Sequence, residues 1–231
     1  MYKIKKEDLT ALFRAIAAEQ ELYVPVKTAG KVNFGPWSED AEVDIDTLKS
    51  VKSPKDVFFP QSENLYTCER EGRKLKVEPE ALKEQKFTVF GMRACDVQGV
   101  KVLDQVFLAD PVDSFYAARR KHGTMVAIAC HEPEESCFCK VFGIDCAEPA
   151  ADVATWFAGE EWYWKALTKK GELLTEQVKV LLTEADASEE QKIEQEKNNN
   201  REIVEKLPYT HLSLEGWHGN ATEKRFDSPL W

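Results

Sequence analysis

Two short, largely apolar segments on either side of a helix-forming stretch constrain the middle of this chain more than any other feature. Phe87 to Phe90 reads as a buried strand closed by Gly91, and Thr124 to Ala129 reads as a second. Between them Val97, Val100, Leu103 and Phe107 recur at helical spacing behind Asp96, which is placed to act as an N-cap. Asp113 opens another short helix, Ser114 to Lys121, which Gly123 ends. A strand, a helical crossover and a returning strand make the two strands parallel and the crossover right-handed. The pattern predicts an α/β fold with a central β-α-β core.

Antiparallel hairpins are expected around that core, with a polar helix towards the C-terminus. Residues 7–20 carry Leu9, Leu12, Phe13 and Ile16 on one helical face, and 22–34 reads as β-structure turning at Ala29-Gly30-Lys31. Asp56 to Pro60 reads as a short strand stopped by proline, and 64–78 as a hairpin turning at Glu71-Gly72-Arg73. Over 152–175, Trp156, Trp162 and Trp164 alternate with polar residues, as hairpin strands do. Ser188 with Gln191 reads as a capping box opening a helix over 189–206. The run Lys197-Asn198-Asn199-Asn200 weakens that helix, so 186–206 reads as a solvated, mobile arm. The aromatic tail to Trp231 is expected to pack on the body. A single domain over 1–231 accommodates all of this.

Charge and hydropathy narrow the function. Acids number 41 and bases 31, a net charge of −10, which argues against a nucleic-acid binder held by phosphate contacts. The longest apolar run, Met125 to Cys130, is six residues, far short of a membrane span, and the N-terminus lacks a signal-like apolar stretch. The expected location is cytoplasmic, where thiols stay reduced, so the six cysteines are not read as structural disulfides.

Four of them are expected to meet. Cys95 follows the first strand of the β-α-β unit and Cys130 ends the second. Parallel strands end on one edge of the sheet, the usual ligand side of open α/β sheets. The segment 131–139, with Pro133 and Ser136 suited to a turn, brings Cys137 and Cys139 back to that edge. Four thiolates in one place make a soft-metal site. Structural zinc usually takes paired Cys-rich knuckles, which this chain lacks, while iron–sulfur clusters tolerate irregular spacing; on spacing alone, both stay open. Phe138, Phe142 and Met92 could supply an apolar surround. Cys68 and Cys146 read instead as small buried hydrophobes, although Cys146, soon after Cys139, could substitute as a ligand.

In order along the chain, Phe90-Gly91-Met92-Arg93-Ala94-Cys95-Asp96, Val102 through Leu108, Phe115 through Arg120, Cys130 with Cys137-Phe138-Cys139, and Phe226 through Trp231 resemble one family. It is the iron–sulfur family that includes the sulfhydrogenase beta subunit, together with its counterpart in anaerobic sulfite reductase. The resemblance implies a 4Fe-4S cluster on Cys95, Cys130, Cys137 and Cys139. It also implies an electron-transfer role in an anaerobic oxidoreductase complex, not a catalytic one, relaying single electrons between a flavin or ferredoxin partner and the catalytic component. Members usually continue into a ferredoxin-like module where this sequence stops at Trp231, and they often carry proline at the position of Ala94. The competing expectation is a non-redox docking module stapled by zinc on the same thiols.

The remaining conspicuous residues have ordinary readings as well as functional ones. Arg93, Arg119, Arg120 and Lys121 form a basic island that could offset the charge of a thiolate-bound cluster or dock an acidic partner. Equally, Arg93 could be a surface arginine and the other three helix-end cations. His131 adjoins Cys130 and is read as lying outside the ligand set. No Walker or G-x-G-x-x-G motif is present, so nucleotide binding has no support.

Overall fold

Strands Phe87–Met92 and Gly123–Ile128 pair in parallel at the centre of the molecule, joined by two helices, as the apolar pattern predicts. The computed structural model describes residues 1–214, so the expectation for the tail to Trp231 lies outside the described residues. Within them the strands are β1 (Tyr2–Lys5), β2 (Glu21–Thr28), β3 (Lys31–Pro36), β4 (Tyr66–Glu71), β5 (Lys74–Pro79), β6 (Phe87–Met92), β7 (Gly123–Ile128), β8 (Val153–Ala158), β9 (Glu161–Ala166) and β10 (Thr183–Glu184). The helices are α1 (Leu9–Ala17), α2 (Lys55–Phe58), α3 (Ala94–Phe107), α4 (Ser114–His122), α5 (Lys169–Val178) and α6 (Ala187–Glu205). One sheet runs β10-β1-β9-β8-β7-β6-β2-β3; β4 and β5 form a separate two-stranded hairpin. The inner pairs β2–β6, β6–β7 and β7–β8 are parallel, and the flanks are antiparallel.

Both faces of the central strands are covered, which explains their unbroken apolar runs. On one face Phe90, Val126, Ile128 and Val153 pack with Leu12, Phe13 and Ile16 of α1 and with Leu174 and Val178 of α5. On the other, Phe87, Val89, Met92, Met125 and Ala127 pack with Phe58 of α2, Val97 and Val100 of α3 and Tyr116 of α4. Ala129, Ala154, Trp156 and Tyr163 form a further cluster with Ile193 of α6. The sheet is thus the middle layer of three, and its strand ends are free to build a site. No helix among the described residues is long and apolar enough to cross a membrane.

Several local expectations are corrected. Residues 55–58 form the short helix α2, not a strand, and pack Phe58 into the core. The strand β6 does not stop at Gly91: it passes through a register shift there, with Gly91 at φ +97°. Helix α3 begins at Ala94, so Asp96 sits in its first turn and accepts from Arg93 N at 3.2 Å, instead of capping from outside. The tryptophan segment is a hairpin only to Ala166, after which Thr168 caps helix α5. Helix α6 is capped by Asp186 with Glu189 as its reciprocal partner, upstream of the expected Ser188–Gln191 box. Its inward positions Ile193, Lys197, Asn200 and Val204 are all buried, so the helix packs on the body along that stripe and is not a solvated arm.

Candidate thiol site at the sheet edge

The site begins with the chain leaving β6. A bulge re-aims the strand that carries it. At Gly91 a Cβ would lie 2.8 Å from Pro25 Cγ, so glycine is what the close approach of β2 permits. The strand then delivers Arg93, at 4% exposure buried and not on the surface, and places Cys95 in the first turn of α3. The parallel neighbour β7 ends at Ile128, just before Cys130, which is buried. Cys137 and Cys139, both partly exposed, return on the following segment, with Cys139 opening a 3-10 turn that Gly143 closes at φ +66°.

The cysteine-bearing segment is held from three sides. Cys130 N donates to Cys146 O at 3.0 Å, and Trp156 Nε1 of β8 donates to Ala147 O at 2.7 Å. From α6, Arg201 pairs with Asp145 at 2.7 Å and Lys140 pairs with Glu205. Lys197 Nζ lies 4.5 Å from the Trp156 ring centre and pairs with Glu148 at 3.5 Å. On the opposite side Lys49 bonds Glu134 at 2.8 Å and also Ser136, within electrostatic reach of Cys137 and Cys95.

The thiols interact as a group. The Cys95 S–H donates to the Cys139 sulfur, so that hydrogen bond, then desolvation and Asp96, push Cys95 well up. The same bond holds Cys139 below the usual thiol range, against burial and its neighbours Cys130, Cys137 and Cys146. Burial pushes Cys130 up to about 12, partly countered by the charge of Arg93 and reinforced by Cys146, Cys95 and Cys137. Burial, then Asp145, push Cys146 up to about 11.

The structure thus places Cys95, Cys130, Cys137 and Cys139 in one neighbourhood and adds Cys146, which the sequence alone reads as a buried hydrophobe. Its burial is as expected, and its electrostatic contact with the other thiols agrees with the reading that it could substitute as a ligand. Its short spacing after Cys139 is the signal that points to it. Cys68 is exposed on β4, away from any core, which corrects its reading as buried; Cys95, in the first turn of α3, is exposed as well. Phe138 and Phe142 do not close over the thiols but line an apolar cleft with Val141, Tyr209, Leu212 and Leu214, while Met92 lies in the core. The basic island dissolves into separate contacts. Arg119 bonds Glu63 at 2.7 Å and Phe58 O at 2.7 Å, and Arg120 bonds Asp104 at 2.9 Å.

As folded, no three His, Cys, Asp or Glu side chains among the described residues form a group that could hold a metal ion. The donor chemistry nonetheless suits a soft, sulfur-bridged group, because several thiols lie within electrostatic reach of one another here.

Fold and site together define an α/β protein with a thiol-lined edge on a largely parallel sheet. No protein-family model matches the chain, and no solved structure matches it. Over 169 residues it is 28% identical to the sulfhydrogenase 2 subunit beta of Pyrococcus furiosus, a match covering 73% of this chain and 49% of that protein. The chain spans about half the length of this curated relative. The match supports the sulfhydrogenase beta subunit family, in agreement with the resemblance carried by the motifs.

Proposed function

We propose that this chain is an electron-relay subunit, or part of one, in an oxidoreductase complex, with a 4Fe-4S cluster held by Cys95, Cys130, Cys137 and Cys139. What supports the reading is that Cys95 and Cys130 follow neighbouring parallel strands, with Cys139 and Cys137 returning on the next segment within electrostatic reach of them. The relationship to a sulfhydrogenase beta subunit supports it and does not favour the zinc-stapled docking module. When bound, such a cluster supplies reversible one-electron chemistry. The chain's own residues supply the four sulfurs, desolvate Cys130 and fix the segment 139–148 against β8 and α6. No general acid, base or nucleophile is assigned, because no bond to a substrate changes here. Partner subunits bearing flavin, a ferredoxin or the catalytic centre belong to the same proposal.

Anaerobic reconstitution with ferrous iron and sulfide tests this. The expected product binds about four irons per chain and has visible absorption that dithionite bleaches. A colourless protein that retains one zinc and refuses iron overturns the reading.

A further inference from the structure

A cavity of about 590 Å³ opens where β6 and β7 begin, at the opposite end of the strands from the thiols, with α5 along one side. Its wall carries Lys86, Lys121, His122 and Lys170 against a single carboxylate, Glu19, among the described residues. That concentration of cations runs against the net charge of −10. The parallel register gathers them: Phe87 is paired with Gly123, so Lys86 and His122, one residue before each, enter side by side. Lys170 Nζ reaches across from α5 and donates to Arg120 O and Gly123 O, both at 2.8 Å. Two of the three ammonium donors are thus spent on neutral carbonyls, and one is left over. The acids whose charges reach Lys170 are engaged elsewhere: Asp152 by Met125 N and Thr168 Oγ1, and Asp104 by Arg120 and Tyr116. Among the described residues, none of Lys86, Lys121 and Lys170 is in an ion pair. Thr124 adds a feature independent of charge. It lines the same cavity and is only 9% exposed, yet its hydroxyl has no hydrogen-bond partner among the described residues. Buried hydroxyls elsewhere in the molecule are satisfied, Thr155 by Ala127 O and Thr175 by Gly171 O.

We propose that this cavity is a binding site for a small phosphate-bearing molecule, its anionic group held by Lys170, Lys121 and the Thr124 hydroxyl, with Lys86 and His122 at the rim. A tetrahedral phosphate accepts from several directions at once, which suits separate point-charge ammonium donors and a hydroxyl. A planar carboxylate is matched best by the fork of an arginine, and no arginine is among the residues that form the wall. Leu173 and Leu174 supply an apolar side for the remainder of the ligand, and the volume falls in the range of small-molecule sites. The site shares no residue with the thiol edge and stands whether or not a cluster is bound there.

Calorimetric titration of the full chain with inorganic phosphate, at ionic strength held constant with sodium chloride, tests this. Saturable binding to one site is expected. Thr124→Val, which keeps the shape and removes only the hydroxyl, and Lys121→Met, at an exposed position, should each weaken it about ten-fold, the worth of one hydrogen bond to a charged group. Lys31→Met, which removes a lysine outside the cavity, should leave it unchanged. Lys170 is left intact, because its removal would strip two carbonyls of their donor. Absence of saturable binding overturns the proposal, as does phosphate affinity that neither Thr124→Val nor Lys121→Met alters. Succinate, a dicarboxylate, is titrated in parallel, and binding as tight as that of phosphate overturns the assignment to phosphate.

Discussion

The six cysteines differ in environment, two exposed, two partly exposed and two buried, and the surroundings of a thiol predict its response to substitution. Cys137 and Cys139 sit among other thiols on a segment fixed at both ends, so Cys137→Ser or Cys139→Ser should lower iron bound on anaerobic reconstitution while leaving the unfolding midpoint of the apoprotein nearly unchanged. Cys68 stands on an exposed hairpin, so Cys68→Ser should leave both unchanged; a drop in iron content for Cys68→Ser would put the cluster on a different set of sulfurs. Asp44 gives a pH signature. Burial would raise its pKa, but the Thr47 N–H and hydroxyl hold the carboxyl below its ordinary value. A carboxylate with a depressed folded pKa contributes stability that is fully present above the unfolded value and is lost as the pH falls through the folded one. Asp44→Asn should therefore flatten the acid limb of stability against pH below about pH 4, followed by urea unfolding at stepped pH. These residue environments are only partly legible in the sequence. Strand ends and spacing locate four thiols, but the burial of Arg93 depends on the carbonyls of Ile45 and Thr47, far upstream, which no local pattern announces.

At the level of elements, strands with period-two or unbroken apolar runs are readable because tertiary packing and local pattern agree there. The boundaries fail where a neighbouring element decides them. Asp56 to Pro60 carries two phenylalanines and a proline, which read as a strand, yet Lys55–Phe58 is a helical turn that packs Phe58 against Phe87 of β6. Likewise β6 continues past Gly91 because β2 lies close enough to demand a residue without a side chain. That gives a sharp expectation: Gly91→Ala combines a positive φ with a Cβ 2.8 Å from Pro25, and should destabilise the chain by roughly 1–3 kcal/mol in denaturant unfolding. An effect within about 0.5 kcal/mol would mean that β2 yields easily. Helix α6 answers differently to changes on its two sides. Its ion pairs to the thiol segment are partly exposed, so Arg201→Ala should cost at most about 1 kcal/mol, whereas truncating fully buried Ile193 to Ala should cost about 2–5 kcal/mol.

Across the whole molecule, burial is distributed very unevenly. The eight-stranded sheet is enclosed by helices, while the β4–β5 hairpin has every residue exposed and stands apart from it. The register makes the hairpin two-faced. Thr67, Glu69 and Glu71 lie opposite Glu78, Lys76 and Lys74 on one side, and Tyr66, Cys68 and Arg70 lie opposite Pro79, Val77 and Leu75 on the other. An isolated two-stranded hairpin is marginal in water, so this one contributes little to the stability of the body to which it is attached. Leu75 and Val77 are 65% and 54% exposed, and burying neither means that removing them forfeits almost no apolar transfer energy. The double change Leu75→Ser with Val77→Ser should therefore shift the unfolding free energy by no more than about 0.5 kcal/mol, in contrast to the several kcal/mol expected from any one core position of the sheet. Hydrogen exchange separates the same two regions without mutation: hairpin amides should exchange at low protection, and those of β6 and β7 only on global unfolding. A hairpin as protected as β6 would mean that its apolar side is covered in solution and that the energetic boundary of the domain lies outside the sheet and its helices.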